Sequence, residues 1–286
     1  MTVDEVILRV SDLVIASGDP GEPTILVHGV SFDVVRGEVL CIVGESGSGK
    51  SLTVLAIMGL LPDGVWVHSG SIEYAGRNLA VAEERELRRL RGKEISMVFQ
   101  DPLTALNPLR RVGDQVSEAV RLHDRSSSRS RSRSRAVELL DSVGVAEPAR
   151  RARSYPHQWS GGMRQRAVIA MAIAHDPALI IADEPTTALD VTVQAQVMRV
   201  LADVRRRAGS SLILITHDLG LAAGVADRMH ILWRGRTVEV GTVYDIFDRP
   251  EHSYTKRLLA SVLSPLTVRG SAVAPAAPVA DDRKET

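Results

Sequence analysis

Cysteine is nearly missing from this chain of 286 residues: Cys41 stands alone. A single cysteine excludes an internal disulfide framework. Its neighbours, "VLCIV", suit a small buried side chain rather than a reactive thiol. An excess of charge of either sign is also missing. With 35 basic and 35 acidic residues, no global positive field recruits nucleic acid. No apolar run approaches the ~18 residues that suggest a membrane span. The longest candidate, "LTVLAIMGLLP", breaks at Pro62 and Asp63. The start, "MTVDEVILRV", has no basic region followed by an apolar core, so no secretory signal is expected. These absences lead to the expectation of a soluble, cytoplasmic chain. What is present is ample apolar material, 44% of the residues, enough for a sizeable core.

Four short apolar runs read as buried strands, each ending in polar residues: "VLCIV" (39–43), "ISMVF" (95–99), "ALIIA" (178–182) and "LILIT" (212–216). Aliphatic runs without alternation suit parallel strands covered on both faces. Between the last two, Val193, Val197, Met198, Leu201 and Val204 share one helical face, and Gly209 is a plausible stop. The pattern predicts an α/β domain with a mainly parallel sheet. Ligands of such sheets bind beyond the carboxyl ends of the strands, which collects the polar endings at one edge. The first ~35 residues and 66–80 predict a small antiparallel layer. A mostly helical subdomain, about 101–165, is inserted between two sheet strands. Residues 265–286, rich in alanine and proline, are expected to form a disordered tail beyond a domain of 1–264. The low-complexity run "RSSSRSRSRSR" (125–135) invites a nucleic-acid reading. It lacks interleaved aromatics for base stacking, and a solvated helix face or mobile loop is the better expectation.

Gly44, Gly49, Lys50 and Ser51 match the phosphate-loop pattern, placed between a strand and an apolar helix as it requires. Phosphate oxygens need several donors at close range, and glycines let backbone N–H groups turn inward. The nucleotide-binding stretch comprises Gly44, Glu45, Ser46, Gly47, Ser48, Gly49, Lys50, Ser51 and Leu52. Lys50 is expected to reach the β- and γ-phosphates of ATP, and the Ser51 hydroxyl to bind Mg²⁺. Asp183, at the end of "ALIIAD", is expected to hold Mg²⁺ through water. Glu184 beside it is placed to deprotonate an attacking water. Adjacent carboxylates are common on surfaces, and the assignment draws its weight from the loop upstream. Gln100 and His217, at two further strand ends, are candidates to sense the γ-phosphate, with Gln100 also a metal ligand. A lone histidine is more often structural, so His217 depends on the constellation.

In this order the motifs resemble ABC-type ATPases: the phosphate loop, Gln100, "SGGMRQR", "LIIADEP", "ALD" (188–190) and "THD" (216–218). The resemblance extends to about residue 264. "FQDPLTALNP", "YPHQWSGGMRQR", "ADEPTTALDVTVQAQV" and "RPEHSYTKRLLASV" are similar to ATP-binding subunits of bacterial dipeptide and oligopeptide importers. The resemblance implies an α/β phosphate-loop NTPase of ABC type that hydrolyses ATP with Mg²⁺. It implies that Ser160, Gly161 and Gly162 clamp the γ-phosphate held by a second ATPase subunit, with Asp190 among the nucleotide-contacting residues. The second subunit would be a sister chain or another copy. It further implies two transmembrane permease subunits, an external solute-binding protein acting indirectly, and a peripheral location on the cytoplasmic face of the membrane. Relatives of the type also serve nickel and glycans. A non-transport ABC ATPase is the less favoured alternative, since long coiled coils and a second ATPase copy are not seen here.

Three departures stand out. Trp159 occupies the position where the family usually has leucine or phenylalanine. No aromatic lies at 14–17 to stack on adenine, and Ile15 is the expected substitute. The single cysteine excludes the iron–sulfur cluster some relatives carry.

Overall fold

A computed structural model of the protein describes residues 5–124, 126–187 and 189–263. The tail expected at 265–286 lies outside them. Two long strands open the fold, β1 (Val6–Asp19) and β2 (Glu22–Val35), paired antiparallel across a tight turn. The central strand β3 (Val39–Val43) leads to α1 (Lys50–Met58). β4 (Val65–Tyr74) then pairs with the free edge of β1, and β5 (Arg77–Asn78) pairs with β4. These four strands form the antiparallel layer, in the order β2-β1-β4-β5. After α2 (Glu84–Leu90) comes β6 (Ile95–Val98).

Among the described residues five α-helices separate β6 from the next strand: α3 (Pro102–Ala105), α4 (Val112–His123), α5 (Arg129–Ser142), α6 (Pro148–Arg151) and α7 (Gly161–Ala172). The chain returns through β7 (Leu179–Asp183), α8 (Val191–Ala208), β8 (Ser211–Thr216) and α9 (Leu219–Ala223). It finishes with β9 (Arg228–Trp233), β10 (Arg236–Thr242), α10 (Val243–Asp248) and α11 (Ser253–Leu263). The second sheet runs β10-β9-β3-β8-β7-β6. Its pairs are parallel except that of β10 with β9.

The apolar runs do not alternate because each face of this sheet meets its own core. Val39, Cys41, Val43, Leu212, Leu214, Ile180 and Ala182 face α8 and the helices between β6 and β7. Leu40, Ile42, Ile213, Ile215, Leu179 and Ile181 face α1 and the antiparallel layer. A strand sandwiched in this way has no solvent side on which a polar residue could sit. Cys41 is fully buried, and burial pushes its thiol pKa well up, so it remains a neutral packing group.

The serine–arginine run is helical from Arg129 onward. Ser128 caps α5 by accepting the Arg131 N–H at 3.2 Å. Ser132 is fully buried, and its hydroxyl accepts from the Ser117 hydroxyl at 2.9 Å. Alternation against a 100° helical step places Arg129 and Arg133 on one flank and Arg131 and Arg135 on the other. Among the described residues, no helix is long and apolar enough to cross a membrane.

Candidate nucleotide site

The loop from Gly44 to Gly49 joins β3 to the first turn of α1. A Cβ on Gly44 would lie 2.2 Å from the Leu232 carbonyl oxygen, so this position has room for glycine alone. Gly49, at φ 95°, caps α1 in a left-handed conformation that L side chains resist. Ser48 is buried beneath the loop, and its carbonyl accepts the Gly235 N–H at 3.1 Å. Lys50 is buried too, with Nζ donating to the carbonyls of Gly44 and Glu45 at 2.8 Å each. Burial draws the Lys50 pKa below its ordinary value, and the nearby carboxylates of Glu184, Asp183 and Glu45 oppose that shift. An ammonium satisfied by two neutral carbonyls has much to gain from a phosphate.

Ser51 donates its hydroxyl to Asp183 Oδ1 at 3.1 Å. Asp183 ends β7 and is 7% exposed. Burial raises its pKa, while the Ser51 hydrogen bond works the other way. A hydroxyl and a carboxylate, both hard oxygen donors and side by side beneath the cleft, fit Mg²⁺, which takes few protein ligands and completes its shell with phosphate and water.

Three parallel strands deliver the remaining groups. β6, β7 and β8 are neighbours, and the residues just beyond them converge on one carboxylate. Glu184 Oε2 accepts from Gln100 Nε2 at 3.1 Å and from Thr187 Oγ1 at 2.8 Å. Its Oε1 lies 3.3 Å from His217 Nδ1. Glu184 itself has φ 43°, unusual for a residue with a side chain, and its N–H extends the β7–β8 ladder by donating to the Ile215 carbonyl. A strained backbone at a carboxylate held by three side chains is a common mark of a working site.

Gly44, Glu45, Ser46, Gly47, Gly49, Lys50, Ser51, Leu52, Gln100, Glu184 and His217 line one cleft of about 610 Å³, joined by Leu258. Ser160, Gly161, Gly162 and Asp190 do not border it. Two other clefts, of about 440 and 520 Å³, lie along the helices between β6 and β7 amid arginines, away from the loop.

The signature segment sits elsewhere on the chain. Ser160 caps α7, its hydroxyl accepting the Met163 N–H at 3.3 Å. Asp190 caps α8 likewise, accepting from Val193 N at 3.0 Å. The glycines have a reason within the chain that the sequence reading lacked. A Cβ on Gly162 would lie 2.3 Å from Val193 Cγ1, and one on Gly161 would lie 3.0 Å from Leu189 Cδ2. Both glycines let the start of α7 seat against the start of α8. Trp159 is 3% exposed and packs in the core shared by the inserted helices, so it fills the apolar role of the residue it replaces. Ile15 does not substitute for the missing adenine platform. It is fully buried in the core beneath the antiparallel layer, because its strand face is the covered one.

Sequence reasoning missed three residues at the site. Thr187 orients Glu184, Leu258 borders the cleft, and the Tyr254 hydroxyl accepts the Glu45 N–H at 3.0 Å. The one signal for the last two was the segment "HSYTKRLLASV", which carries no phosphate-binding pattern of its own.

The model of the ABC transporter family matches residues 27–187, more than half of the chain. The oligopeptide transport ATP-binding protein OppD of Bacillus subtilis is 49% identical over 90% of this chain and 72% of its own length. The dipeptide transport ATP-binding protein DppD of the same organism is 49% identical over 90% of this chain and 77% of its own. Among solved structures, a dimeric ATP-binding cassette in a post-hydrolysis state with ADP and Pi superposes with a TM-score of 0.73. It is 28% identical, over 82% of this chain and 98% of that one. The cbiO1 protein of Clostridium perfringens gives the same TM-score at 25% identity, over 92% and 98%. Matched by that family model over more than half its length and about half identical to these relatives, this chain belongs to the ABC transporter family, among its ATP-binding ATPases.

Proposed function

We propose that this chain is the motor subunit of a peptide importer, coupling ATP binding and hydrolysis to uptake of dipeptides or oligopeptides. The observation that carries the chemistry is Glu184, held by Gln100, Thr187 and His217 beside the phosphate loop. The loop from Gly44 to Ser51, with Leu52 behind it, cradles the phosphates of ATP. Lys50 leaves its two loop carbonyls and pairs with the β- and γ-phosphates. Ser51 and Asp183, with Gln100, would hold Mg²⁺, which would supply charge neutralisation on those phosphates. Glu184 takes a proton from the attacking water, and His217 and Gln100 fix its carboxylate relative to the γ-phosphate.

Ser160, Gly161, Gly162 and Asp190 lie off the cleft of their own chain, which supports a role toward nucleotide held by a second subunit. That subunit is a sister ATPase or another copy. Two permease subunits carry the solute across the membrane, and an external binding protein delivers it. The chain is then peripheral, on the cytoplasmic face. The segment 101–115, directly after Gln100, contacts the permease. Gln100 connects that surface to the nucleotide through Glu184, so occupancy of the cleft biases the docked partner.

The test is ATP-driven uptake in vesicles holding the complex that co-purifies with this chain. Accumulation of labelled dipeptide, abolished by Glu184→Gln, is expected. A vesicle that hydrolyses ATP yet takes up only a glycan or nickel keeps the motor and replaces the solute. A complex without membrane subunits overturns the transport reading.

A further inference from the structure

We propose that Tyr254 is a positioning residue for the phosphate loop: α11 acts as a clasp whose phenol hydroxyl holds the entry of the loop in its nucleotide-binding shape. The inference rests on the nucleotide reading of the cleft given above.

Tyr254 is the second residue of α11 and is 2% exposed. Its hydroxyl accepts the Glu45 N–H at 3.0 Å, across 209 positions of sequence. Its ring stacks on Trp233, with centroids 5.4 Å apart and planes at 22°. Trp233 ends β9, and two residues later the Gly235 N–H donates to the Ser48 carbonyl at 3.1 Å. The stacked pair thus connects to the loop at both Glu45 and Ser48. The root of the clasp is fixed as well. The Glu239 carboxylate on β10 accepts the Glu251 N–H at 2.7 Å and the His252 N–H at 3.1 Å. One turn along α11, Leu258 borders the cleft itself.

The chemistry of the loop explains why such an anchor matters. Phosphate affinity depends on N–H groups already aimed inward, because ordering a flexible glycine loop opposes binding. Lys50 holds the carbonyls of Gly44 and Glu45, and those bonds break when its ammonium turns to phosphate. The bond from Glu45 N–H to Tyr254 is untouched by that move. A phenol suits the task. Its ring has few rotamers and is pinned by Trp233, and burial raises its pKa so that it stays neutral. Phenylalanine would preserve the stack and leave the Glu45 N–H without its acceptor.

The experiment uses the full chain with Tyr254→Phe. Dissociation constants are measured at 25 °C for ATP and for inorganic tripolyphosphate, by competition against a fluorescent ATP analogue. Both are expected to rise by about 3- to 10-fold, the span of one neutral hydrogen bond. The rise is equal for the two probes because the clasp acts on the phosphate loop and not on adenine. In the assembled complex KM for ATP rises while kcat stays near wild type. Trp233→Leu retains the hydroxyl and removes its platform, so it raises both constants too and gives a second test should the phenylalanine variant fold poorly. A purely structural Tyr254 would lower the unfolding midpoint and leave both constants unchanged in folded protein, which overturns the clasp. So does a loss for ATP alone. If wild type binds neither probe, the reading of the cleft fails and the clasp with it. If wild type binds and Lys50→Ala does not, while Tyr254→Phe binds normally, only the clasp is wrong.

Discussion

Replacing Gly162 by alanine separates two reasons for a glycine at the head of α7. The added Cβ would lie 2.3 Å from Val193 Cγ1 and 3.7 Å from Val193 Cβ. Carbon atoms pack at about 3.5–4.0 Å, so the overlap exceeds an ångström. Valine has one strongly preferred χ1 in a helix and cannot swing its methyl aside freely. Either Val193 leaves its rotamer or α7 and α8 separate, and overpacking of this kind costs about 1–3 kcal/mol. Alanine recovers at most about 1 kcal/mol of helix propensity, and less in the first turn. Gly162→Ala is therefore expected to lower the unfolding free energy by about 1–2 kcal/mol. Val193→Ala, at a half-buried site, costs about 1 kcal/mol by itself. The double variant is expected to be more stable than the sum of the two, with a coupling of about 1–3 kcal/mol, since the new methyl occupies space the valine gave up. Urea unfolding at 25 °C measures all three. Because the added Cβ points at Val193 and the backbone N–H that Gly162 would offer to a second subunit's nucleotide is kept, the double variant should also retain ATPase activity in the assembled complex. A fully stable single variant would refute the packing argument. A stable but inactive double variant would show that the second subunit's nucleotide needs the space of the missing side chain itself.

Three further outcomes are expected. Glu184→Gln keeps equilibrium ATP binding and slows phosphate release by about 10²–10⁴-fold, the worth of a positioned general base, and near wild-type turnover would remove Glu184 from the mechanism. Ser160→Arg costs about 1 kcal/mol through the lost helix cap and leaves ATP binding by the isolated chain nearly intact. Lys50→Ala weakens that binding, and mixing the two variants restores part of the ATPase if the chain pairs with itself; with a sister subunit, the same cycle is run on that pair. His230 is fully buried, its Nε2 sharing a hydrogen bond with Thr237 Oγ1 at 2.7 Å, and burial, aided by Arg228, lowers its pKa to about 4. The unfolded chain, with a histidine pKa near 6.5, then binds the proton that the folded chain refuses. Stability falls as pH drops from about 6.5 to 4, by up to about 3 kcal/mol, and His230→Gln flattens that slope in urea unfolding across the range.

Much of this molecule was written locally. A phosphate loop is a contiguous device, so Gly44, Gly49, Lys50 and Ser51 announce it without help from the rest of the chain. Strands covered on both faces must be continuously apolar, which is why the runs 39–43, 178–182 and 212–216 could be read, within a residue of the observed strands, and their polar ends assigned to one edge. The serine–arginine run was readable only as a solvated helix face or a mobile loop, and the capped helix with Ser132 buried against Ser117 decides between them. Contacts between segments distant in sequence were not written this way. Strand order brought Gln100 and His217 onto Glu184. Nothing in "LVIASGD" says that Ile15 lies on the covered face, since β1 bulges and shifts register along its length. Spacing shows that Gly161 and Gly162 are adjacent, but not that Leu189 and Val193 occupy the space their missing side chains leave. Tyr254 and Glu45 share no local pattern, and their hydrogen bond exists because β9 and β10 carry the chain back beside β3 before α11 begins. Residue type and spacing fix what a segment is able to do. The packing of one segment on another decides which side chains meet, since that depends on the order and twist of a whole sheet.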